Sequence, residues 1–296
     1  MTPENTRGLQ CRFCGDIASP TGRVCGDRPD LAVVICRACG LTQLSDVSHV
    51  AESHYASPEY FPADLEAARR REVQWNRDRR RKILELLPES RSLRALDFGC
   101  GTGGFLSVSD GVFARIDAYD LSARVSELHK AAGYRCHHDL DAVPRDIDVI
   151  LLFHVLEHIP DGVSFLRQLL RRFPAVRHLI IEVPNENEML VSLFPSDEYA
   201  RVHYSADHVY YFTPATLRRL VERAGLQVRL ESQLQRYTLG NHLGWIAQRQ
   251  GGGQDRWPFF ADPELDEAYS RVLSQIGLAD SIFMITDAAE ACELGE

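Results

Sequence analysis

The sequence predicts an α/β protein in which a parallel sheet is covered by helices on both faces, preceded by a small metal-binding module. From residue 91 onward, short apolar runs typical of strands alternate with segments of helical periodicity. Five of the eight cysteines lie within the first 39 residues. We therefore expect a cysteine-rich ribbon over 1–45, a helical connector or lid over 46–90, and the α/β domain over 91–296.

The α/β domain is predicted from six strand-like runs and the helices between them. Residues 213–225 are typical of a helix, because Thr213 can cap it, Pro214 suits its first turn and Gly225 can end it. A second helix is predicted over 122–133, between Ser122 and Gly133. In such a sheet a ligand binds outside the carboxyl ends of the strands. The predicted strands are 93–98, 114–120, 147–153, 178–184, 226–232 and 281–288.

Composition and charge exclude some classes of function. Of the 296 residues 45% are hydrophobic and 25% charged, and the formal net charge of −9 argues against a nucleic-acid partner. No apolar run reaches the roughly 20 residues of a membrane span, and no signal-type segment opens the sequence, so we expect a cytoplasmic protein. The basic run at 69–82 is interpreted as a solvated helix face. Its alternative is a lid or a site for an anionic substrate.

The N-terminal cysteines predict a zinc site. CRFCG (11–15) and CRACG (36–40) are two C-x-x-C-G turns, with 21 residues between Cys14 and Cys36. Two such turns supply four thiolates, the ligand set of a structural Zn²⁺ site with no position left open for chemistry. The predicted ligands are Cys11, Cys14, Cys36 and Cys39, and Cys25 is outside the set.

The stretch ALDFGCGTGGF (95–105) predicts a cofactor loop directly after the first strand of the α/β domain. Its glycines fit the G-x-G-x-x-G pattern of a dinucleotide site, and they also fit D-x-G-x-G-x-G. Asp97 favours the second interpretation, because a carboxylate repels a pyrophosphate and attracts an ammonium or sulfonium group. Asp120, at the end of the second strand, can accept hydrogen bonds from a ribose in either case.

LDFGCGTGGF (96–105), AYDLS (118–122) and HVLEHIPD (154–161) together resemble the class I S-adenosylmethionine-dependent methyltransferases, over roughly residues 91–232. The resemblance implies a Rossmann-like sheet flanked by helices, with S-adenosylmethionine as cofactor. It also implies that residues of this domain contact the methionine portion, the ribose and the adenine of the cofactor. The implied cofactor-binding residues are Asp97, Gly99, Gly101, Gly103, Asp120, Leu121, Asp139, Leu140 and His154.

With the cysteine ribbon, the sequence is similar to the zinc-containing methyltransferases of deoxysugar and natural-product pathways, including nucleotide-sugar C-methyltransferases. SADHVYYFT (205–213) resembles the later part of their YHEHFSYFS-type motif, although Ser205 and Ala206 replace its opening Tyr-His. This match implies catalytic roles for Asp207, His208 and Tyr211, with His208 as general base where the acceptor needs one. Glu157 and His158, after the fourth strand, are further candidates.

The predicted reaction is methyl transfer to a small-molecule acceptor such as a sugar, nucleotide sugar or natural-product intermediate. Methylation at oxygen, nitrogen and carbon are all open. The alternatives are an RNA methyltransferase that uses the ribbon to hold RNA, and an NAD-dependent oxidoreductase that uses the same glycines. A fourth class, a zinc-ribbon interaction protein without catalysis, is disfavoured by the intact Asp97, glycine loop and Asp120.

Overall fold

The strands of the protein form two separate sheets. The structure, a computed structural model, describes residues 9–57 and 60–288. The strands are β1 (Ala18–Val24), β2 (Ala32–Cys36), β3 (Thr42–Leu44), β4 (Arg94–Phe98), β5 (Arg115–Tyr119), β6 (Cys136–His137), β7 (Val149–Phe153), β8 (His178–Pro184), β9 (Tyr210–Tyr211), β10 (Leu226–Leu234) and β11 (Ser281–Ala288). The α-helices are α1 (Glu52–Ala56), α2 (Leu65–Leu86), α3 (Ala123–Ala131), α4 (Gly162–Arg172), α5 (Met189–Ser192), α6 (Asp197–His203), α7 (Pro214–Arg223), α8 (Leu239–Gln248), α9 (Gly253–Arg256) and α10 (Pro263–Ile276).

The larger sheet has seven strands in the order β10-β11-β8-β7-β4-β5-β6. Strand β4 lies inside the sheet, between β7 and β5, and pairs in parallel with both. The order of the strands reverses at β4, and a ligand crevice forms at such a switch point. The glycine loop that follows β4 opens into this crevice.

The last strand corrects the prediction of an all-parallel sheet. β11 is antiparallel to both of its neighbours, β10 and β8. Its first residue, Ser281, pairs with Leu234, the last residue of β10. Residues 235–280 therefore connect β10 and β11 at the same end of the sheet, so β11 runs antiparallel to β10. An apolar run predicts a buried strand but carries no information on its direction.

Alternate residues of the strands pack into two apolar layers, one on each face of the sheet. Ile150 and Leu152 of β7 pack with Leu166 of α4 and Leu217 of α7. Val149 and Leu151 face the other side, where they pack with Ile83 of α2. The sheet is thus covered on both faces, as predicted, and each fully buried Leu or Ile contributes about 2 kcal/mol of transfer free energy.

The predicted helices begin and end near the expected residues. Thr213 caps α7 and forms a reciprocal capping box with Thr216, and Gly225 has a φ of 94° just beyond the helix. Ser122 caps α3. The basic run lies on α2, which is capped by Asp64. In the described part of the chain no helix is both long enough and apolar enough to cross a membrane.

The smaller sheet joins the cysteine-rich segment to the α/β domain. Its order is β1-β2-β3-β9, so its fourth strand comes from residues 210–211. Apolar residues of the ribbon, including Val33 and Leu44, pack with Tyr204 and Tyr211. Gly26 lies so close to α6 that an added Cβ would overlap the Arg201 carbonyl. The ribbon is therefore packed against the segment that carries Asp207 and His208.

Candidate active site

The glycine loop is a tight turn at the carboxyl end of β4. Gly99, Gly101 and Gly103 all have positive φ values, of 73°, 51° and 73°. A Cβ at Gly99 would lie 2.8 Å from Val155 Cγ2, so this close approach also requires glycine. The amides of Gly99 and Cys100 donate to the Tyr119 carbonyl, at 2.8 and 3.1 Å. These bonds hold the loop against the end of β5.

Two carboxylates flank the loop. Asp97 is 2% exposed, and within the described residues it accepts no hydrogen bond, although Arg79 is near enough to attract it. Burial raises the pKa of Asp97 to about 7. Asp120 accepts from the amides of Gly101 and Ser122, at 3.0 and 2.9 Å, and its burial likewise raises its pKa. Of the two carboxylates, Asp97 is therefore the one that a cationic ligand would stabilise more.

A cleft of about 570 Å³ opens over the loop. Asp97, Gly99, Gly101, Asp120, Leu121 and His154, all predicted to bind the cofactor, line it. Helix α2 contributes further lining residues, Trp75 and Arg79 among them. The Tyr60 ring contacts the rings of Tyr55 and Phe61 edge to face, and all three residues line the cleft.

Three predicted cofactor residues lie away from this cleft. Gly103 backs onto α3, where an added Cβ would come within 2.5 Å of the His129 ring. Asp139 is exposed and its side chain accepts from the Asp141 amide. Leu140 packs against the core, and its carbonyl accepts from Arg172. The contacts of Gly103, Asp139 and Leu140 in the structure therefore support local folding, and their predicted contacts with the cofactor stay predictions.

Two residues that line the cleft, Arg79 and His154, belong to a charged network with two buried glutamates. Arg79 donates to both oxygens of the fully buried Glu182, at 2.7 and 3.1 Å. His154, which has an unusual positive φ of 56°, places its two ring nitrogens 3.1 Å from Glu182 and 3.1 Å from Glu157. Burial alone would raise the pKa of Glu182, but Arg79 and His154 outweigh it and hold the pKa well below its usual range. The glutamate is therefore a fixed negative charge that orients its neighbours.

A second cavity of about 260 Å³ adjoins the cleft. Four residues line both spaces, namely Pro184, His208, Arg236 and Tyr237. The remaining wall of the second cavity carries the rings of Tyr199 and Trp245, which contact each other edge to face with centroids 5.1 Å apart. It also carries His203, whose bonds to Glu186 and Glu188 outweigh burial and raise its pKa to about 9. The cavity thus offers aromatic faces beside polar groups.

Glu157, His158 and His208 meet where the two spaces join. One ligand-type atom from each lies within 4.8 Å of the others. The His158 and His208 rings are edge to face, with centroids 4.9 Å apart. Burial lowers the pKa of His208 to about 3, with His158 adding to the shift. Burial would raise the pKa of Glu157, but the His154 hydrogen bond and nearby histidines hold it at about 2.

Of the other predicted catalytic residues, Asp207 lies on the cleft and Tyr211 does not. The Asp207 carboxylate is 3.0 Å from His54 Nε2, and its backbone carbonyl is 2.8 Å from His158 Nδ1. Tyr211 is in β9, almost fully buried, and its hydroxyl donates to the Ser205 carbonyl at 2.8 Å. It borders neither described cavity. Pairing of β9 with the ribbon turns its side chain into the ribbon core.

The four predicted zinc ligands converge. Sγ atoms of Cys11, Cys14, Cys36 and Cys39 all lie within 4.8 Å of one another. Cys11 and Cys39 sulfurs are 3.6 Å apart, and those of Cys14 and Cys36 are 3.4 Å apart. A tetrahedron with zinc–sulfur bonds of about 2.3 Å has sulfurs about 3.8 Å apart. The spacing of these thiols therefore fits a zinc ion.

Sequence reasoning missed the contribution of two segments to the cleft. Trp75 and Arg79 come from the predicted connector, and Arg236 and Tyr237 follow β10. Arg236 is held by Asp280, and its carbonyl accepts from Trp75 Nε1 at 2.7 Å. The basic run contained one signal: Arg79 and Trp75 are one helical turn apart, on the face of α2 that also carries the buried Ile83.

The sheet order, the turn after β4 and the two flanking carboxylates define a Rossmann-like methyltransferase domain. A family model described as a methyltransferase domain matches residues 67–231, more than half of the chain. The chain belongs to this family, and we assign it to the S-adenosylmethionine-dependent methyltransferases.

Curated relatives match the same region. The chain is 28% identical over 149 residues to a ubiquinone biosynthesis O-methyltransferase of Thiobacillus denitrificans, covering 45% of this chain and 64% of the relative. It is 29% identical over 173 residues to the protein of the same name from Aeromonas salmonicida, covering 51% and 69%. The chain thus spans about two thirds of the length of the curated relatives that it matches.

Solved structures give more distant matches. A SAM-dependent methyltransferase from Archaeoglobus fulgidus is 16% identical, with a TM-score of 0.45, over 72% of this chain and 94% of that one. An S-adenosylmethionine-dependent methyltransferase from Mesorhizobium loti is 17% identical, with a TM-score of 0.46, over 73% and 97%.

Proposed function

We propose that the protein transfers a methyl group from S-adenosylmethionine to a hydroxylated ring of a small molecule, such as a sugar or natural-product intermediate. The observation that carries the proposal is Asp97, a buried carboxylate beside the glycine turn that accepts no hydrogen bond within the described residues. A buried charge without a partner is costly, and a cationic ligand removes that cost. The α-ammonium group of S-adenosylmethionine has the required charge.

The residues around the cleft fit this cofactor. Asp97 would hold the ammonium group and Asp120 the ribose, since each Asp120 oxygen accepts only one backbone amide and keeps further acceptor capacity. Leu121 and His154 would border the cofactor. The cofactor supplies a methyl group activated by positively charged sulfur. The protein's task is then largely to position the acceptor in line with that group and to exclude water.

The second cavity is the proposed acceptor site. Tyr199, Trp245 and Tyr237 provide faces on which a ring can stack, and Asn241 and His203 provide polar contacts. The curated relatives are named O-methyltransferases, which favours an oxygen nucleophile. That oxygen would reach the cofactor at the wall shared by the two spaces, where His208 lies.

His208, with Glu157 and His158 behind it, is the polar group that we propose contacts the acceptor oxygen. The backbone carbonyl of Asp207 orients the His158 ring. Asp207 itself, through its contact with His54, would hold the entrance segment over the cleft. Tyr211 would act indirectly, by anchoring this segment in the ribbon sheet.

We further propose that the four cysteines bind a structural Zn²⁺ ion. Their sulfurs fit a tetrahedral site, and a four-thiolate site leaves no open position. The ion would stabilise a ribbon whose own apolar core is small.

The experiment that tests the proposed function is calorimetric titration with S-adenosylhomocysteine, with NAD titrated in parallel. We expect micromolar binding of S-adenosylhomocysteine and no binding of NAD. Binding of NAD alone would overturn the proposal. Acceptors can then be screened by S-adenosylhomocysteine production, with sugars, nucleotide sugars and phenolic rings as the first panel.

A further inference from the structure

Glu157, His158 and His208 form a compact set of metal-ligand atoms outside the cysteine site. One carboxylate oxygen and one nitrogen from each imidazole lie within 4.8 Å of one another. Two imidazoles and one carboxylate are a ligand set of catalytic zinc and non-haem iron sites. The three residues come from two segments, because Glu157 and His158 follow β7 and His208 precedes β9.

Two polar atoms of this set have no hydrogen-bond partner within the described residues. Glu157 is fully buried, and its Oε2 atom is unpartnered. The Nδ1 atom of His208 is also buried and unpartnered. A buried polar atom without a partner destabilises the fold. A bound cation would remove both of these destabilising effects, since a carboxylate oxygen and an imidazole nitrogen are its natural ligands.

His158 is oriented as metal-binding histidines usually are. Its Nδ1 lies 2.8 Å from the Asp207 carbonyl, which can only accept, so Nδ1 carries the proton. Nε2 therefore has a free lone pair, and it faces the Glu157 carboxylate at 4.0 Å. A backbone carbonyl that fixes the tautomer in this way is a recurrent feature of metal sites. His154 in turn holds the other side of Glu157, through a 3.1 Å contact to Oε1.

We propose that Glu157, His158 and His208 bind one divalent first-row transition-metal ion at the junction of the two cavities. Three protein ligands leave at least one coordination position open. His158 borders the cleft and His208 borders both spaces, so the open position faces the acceptor. If the proposed function holds, an oxygen of the acceptor fills that position, and His208 then acts on this oxygen through the ion. Binding of the ion itself does not depend on the proposed function.

The test is a Co²⁺ titration of the purified full-length protein, followed by visible absorption. Co²⁺ on nitrogen and oxygen ligands gives weak d–d bands, whereas Co²⁺ on thiolates adds intense sulfur-to-metal charge transfer. One experiment thus separates this site from the four-cysteine site. With zinc loaded into the four-cysteine site beforehand, we expect one equivalent of Co²⁺ to produce bands without the charge-transfer feature.

The variants His158→Ala and His208→Ala should each weaken this binding at least about tenfold, the loss seen even for second-layer contacts. The matched control is His54→Ala, which removes a nearby histidine outside the ligand set. It should bind Co²⁺ as the wild type does. S-adenosylhomocysteine binding by all variants verifies that they are folded.

Absence of the nitrogen–oxygen signal in the wild-type protein would overturn the proposal. So would its persistence in both histidine variants. Failure of the wild-type protein to bind S-adenosylhomocysteine would instead count against the proposed function and would leave the metal result standing.

Discussion

Tyr211 pairs with Thr42 across the edge of the cysteine-rich sheet. The strand that begins two residues after His208 is therefore part of the ribbon. His208 lies at the junction of the two cavities, so the ribbon and the acceptor end of the site share one segment of backbone. A zinc ion in the ribbon would thus influence where His208 lies, although the ion would contact neither the cofactor nor the acceptor.

The first prediction concerns this link. Cys36→Ser should release zinc and loosen the ribbon, because a structural site loses much of its affinity with one thiolate. Turnover should fall by about a hundredfold, the effect of misplacing reacting groups by about 1 Å. Binding of S-adenosylhomocysteine should change little, since Asp97 is in β4 and Asp120 directly follows β5 in the larger sheet. Metal content and calorimetry measure the two effects.

Cys25→Ala is the matched control for the ribbon variant. Cys25 is fully buried in the same module but lies outside the four-cysteine set. It should keep its zinc. Unchanged zinc content in Cys36→Ser would contradict the assignment of the ligands.

The second prediction separates two reasons why a position requires glycine, namely a left-handed backbone and a lack of space for a Cβ atom. Gly103 and Gly111 have nearly equal φ values, of 73° and 70°. An added Cβ at Gly103 meets the His129 ring at 2.5 Å, whereas at Gly111 it meets nothing within 4 Å. Gly111→Ala should cost about 1–2 kcal/mol of folding free energy, the price of the left-handed backbone alone. Gly103→Ala should cost about 2–4 kcal/mol, because steric overlap is added.

Chemical denaturation of the two glycine variants measures the difference. Gly103→Ala should also weaken S-adenosylhomocysteine binding by displacing the loop, although Gly103 does not line the cleft. Equal destabilisation by the two substitutions would show that the His129 contact has no energetic role.

The third prediction distinguishes the cofactor end from the acceptor end. His208→Ala should leave the affinity for S-adenosylhomocysteine nearly intact, because its ring is on the wall shared with the second cavity. Turnover on the true acceptor should fall by about 10²–10⁴-fold, the range for loss of a group acting directly at the reacting atom. Steady-state kinetics measures the turnover, and calorimetry measures the affinity for S-adenosylhomocysteine. Normal turnover by His208→Ala would show that His208 has no role in the reaction.

The fourth prediction concerns the stability of the cofactor-free protein. The folded-state pKa of Asp97, about 7, is above its ordinary value of 3.8. Its contribution to stability is therefore complete below pH 3.8 and is lost as the pH rises through 7. Asp97→Asn should stabilise the free protein at pH 8 by about 1–3 kcal/mol, since it removes a buried charge.

Asp120→Asn is the control for that measurement. Asp120 accepts two backbone amides, so its replacement should destabilise the protein instead. Unfolding in denaturant at pH 8 compares the two variants. A loss of stability in Asp97→Asn would mean that the Asp97 carboxylate has a compensating partner.

The sequence predicted the parts of the fold that depend on local pattern. The runs that became β8 and β11 match the observed bounds, as do the cap residues Ser122 and Thr213. One feature of the fold was not predictable in this way. The direction of β11 follows from the path of residues 235–280 and not from its own residues.

The same distinction, between local sequence pattern and long-range packing, explains which residues of the site could be predicted. Asp97 and Asp120 could be predicted to lie at the cleft because they are next to strand ends, where the fold class fixes the position of a ligand. Arg79 and Arg236 were missed because their place in the cleft arises from packing between segments 157 residues apart in sequence. Tyr211 was assigned by motif, and pairing of its strand with β3 turned its side chain elsewhere.

The measurement that tests the central claim most directly is the pH dependence of S-adenosylhomocysteine binding, in the wild-type protein and in Asp97→Asn. With a pKa of about 7, ionised Asp97 should hold the ammonium group at pH 8 and lose it on protonation. The wild-type affinity should fall about tenfold between pH 8 and pH 6. Asp97→Asn should bind more weakly at pH 8, with little change over this range. Wild-type affinity that is constant with pH, or a variant that follows the same curve, would contradict the assignment of Asp97.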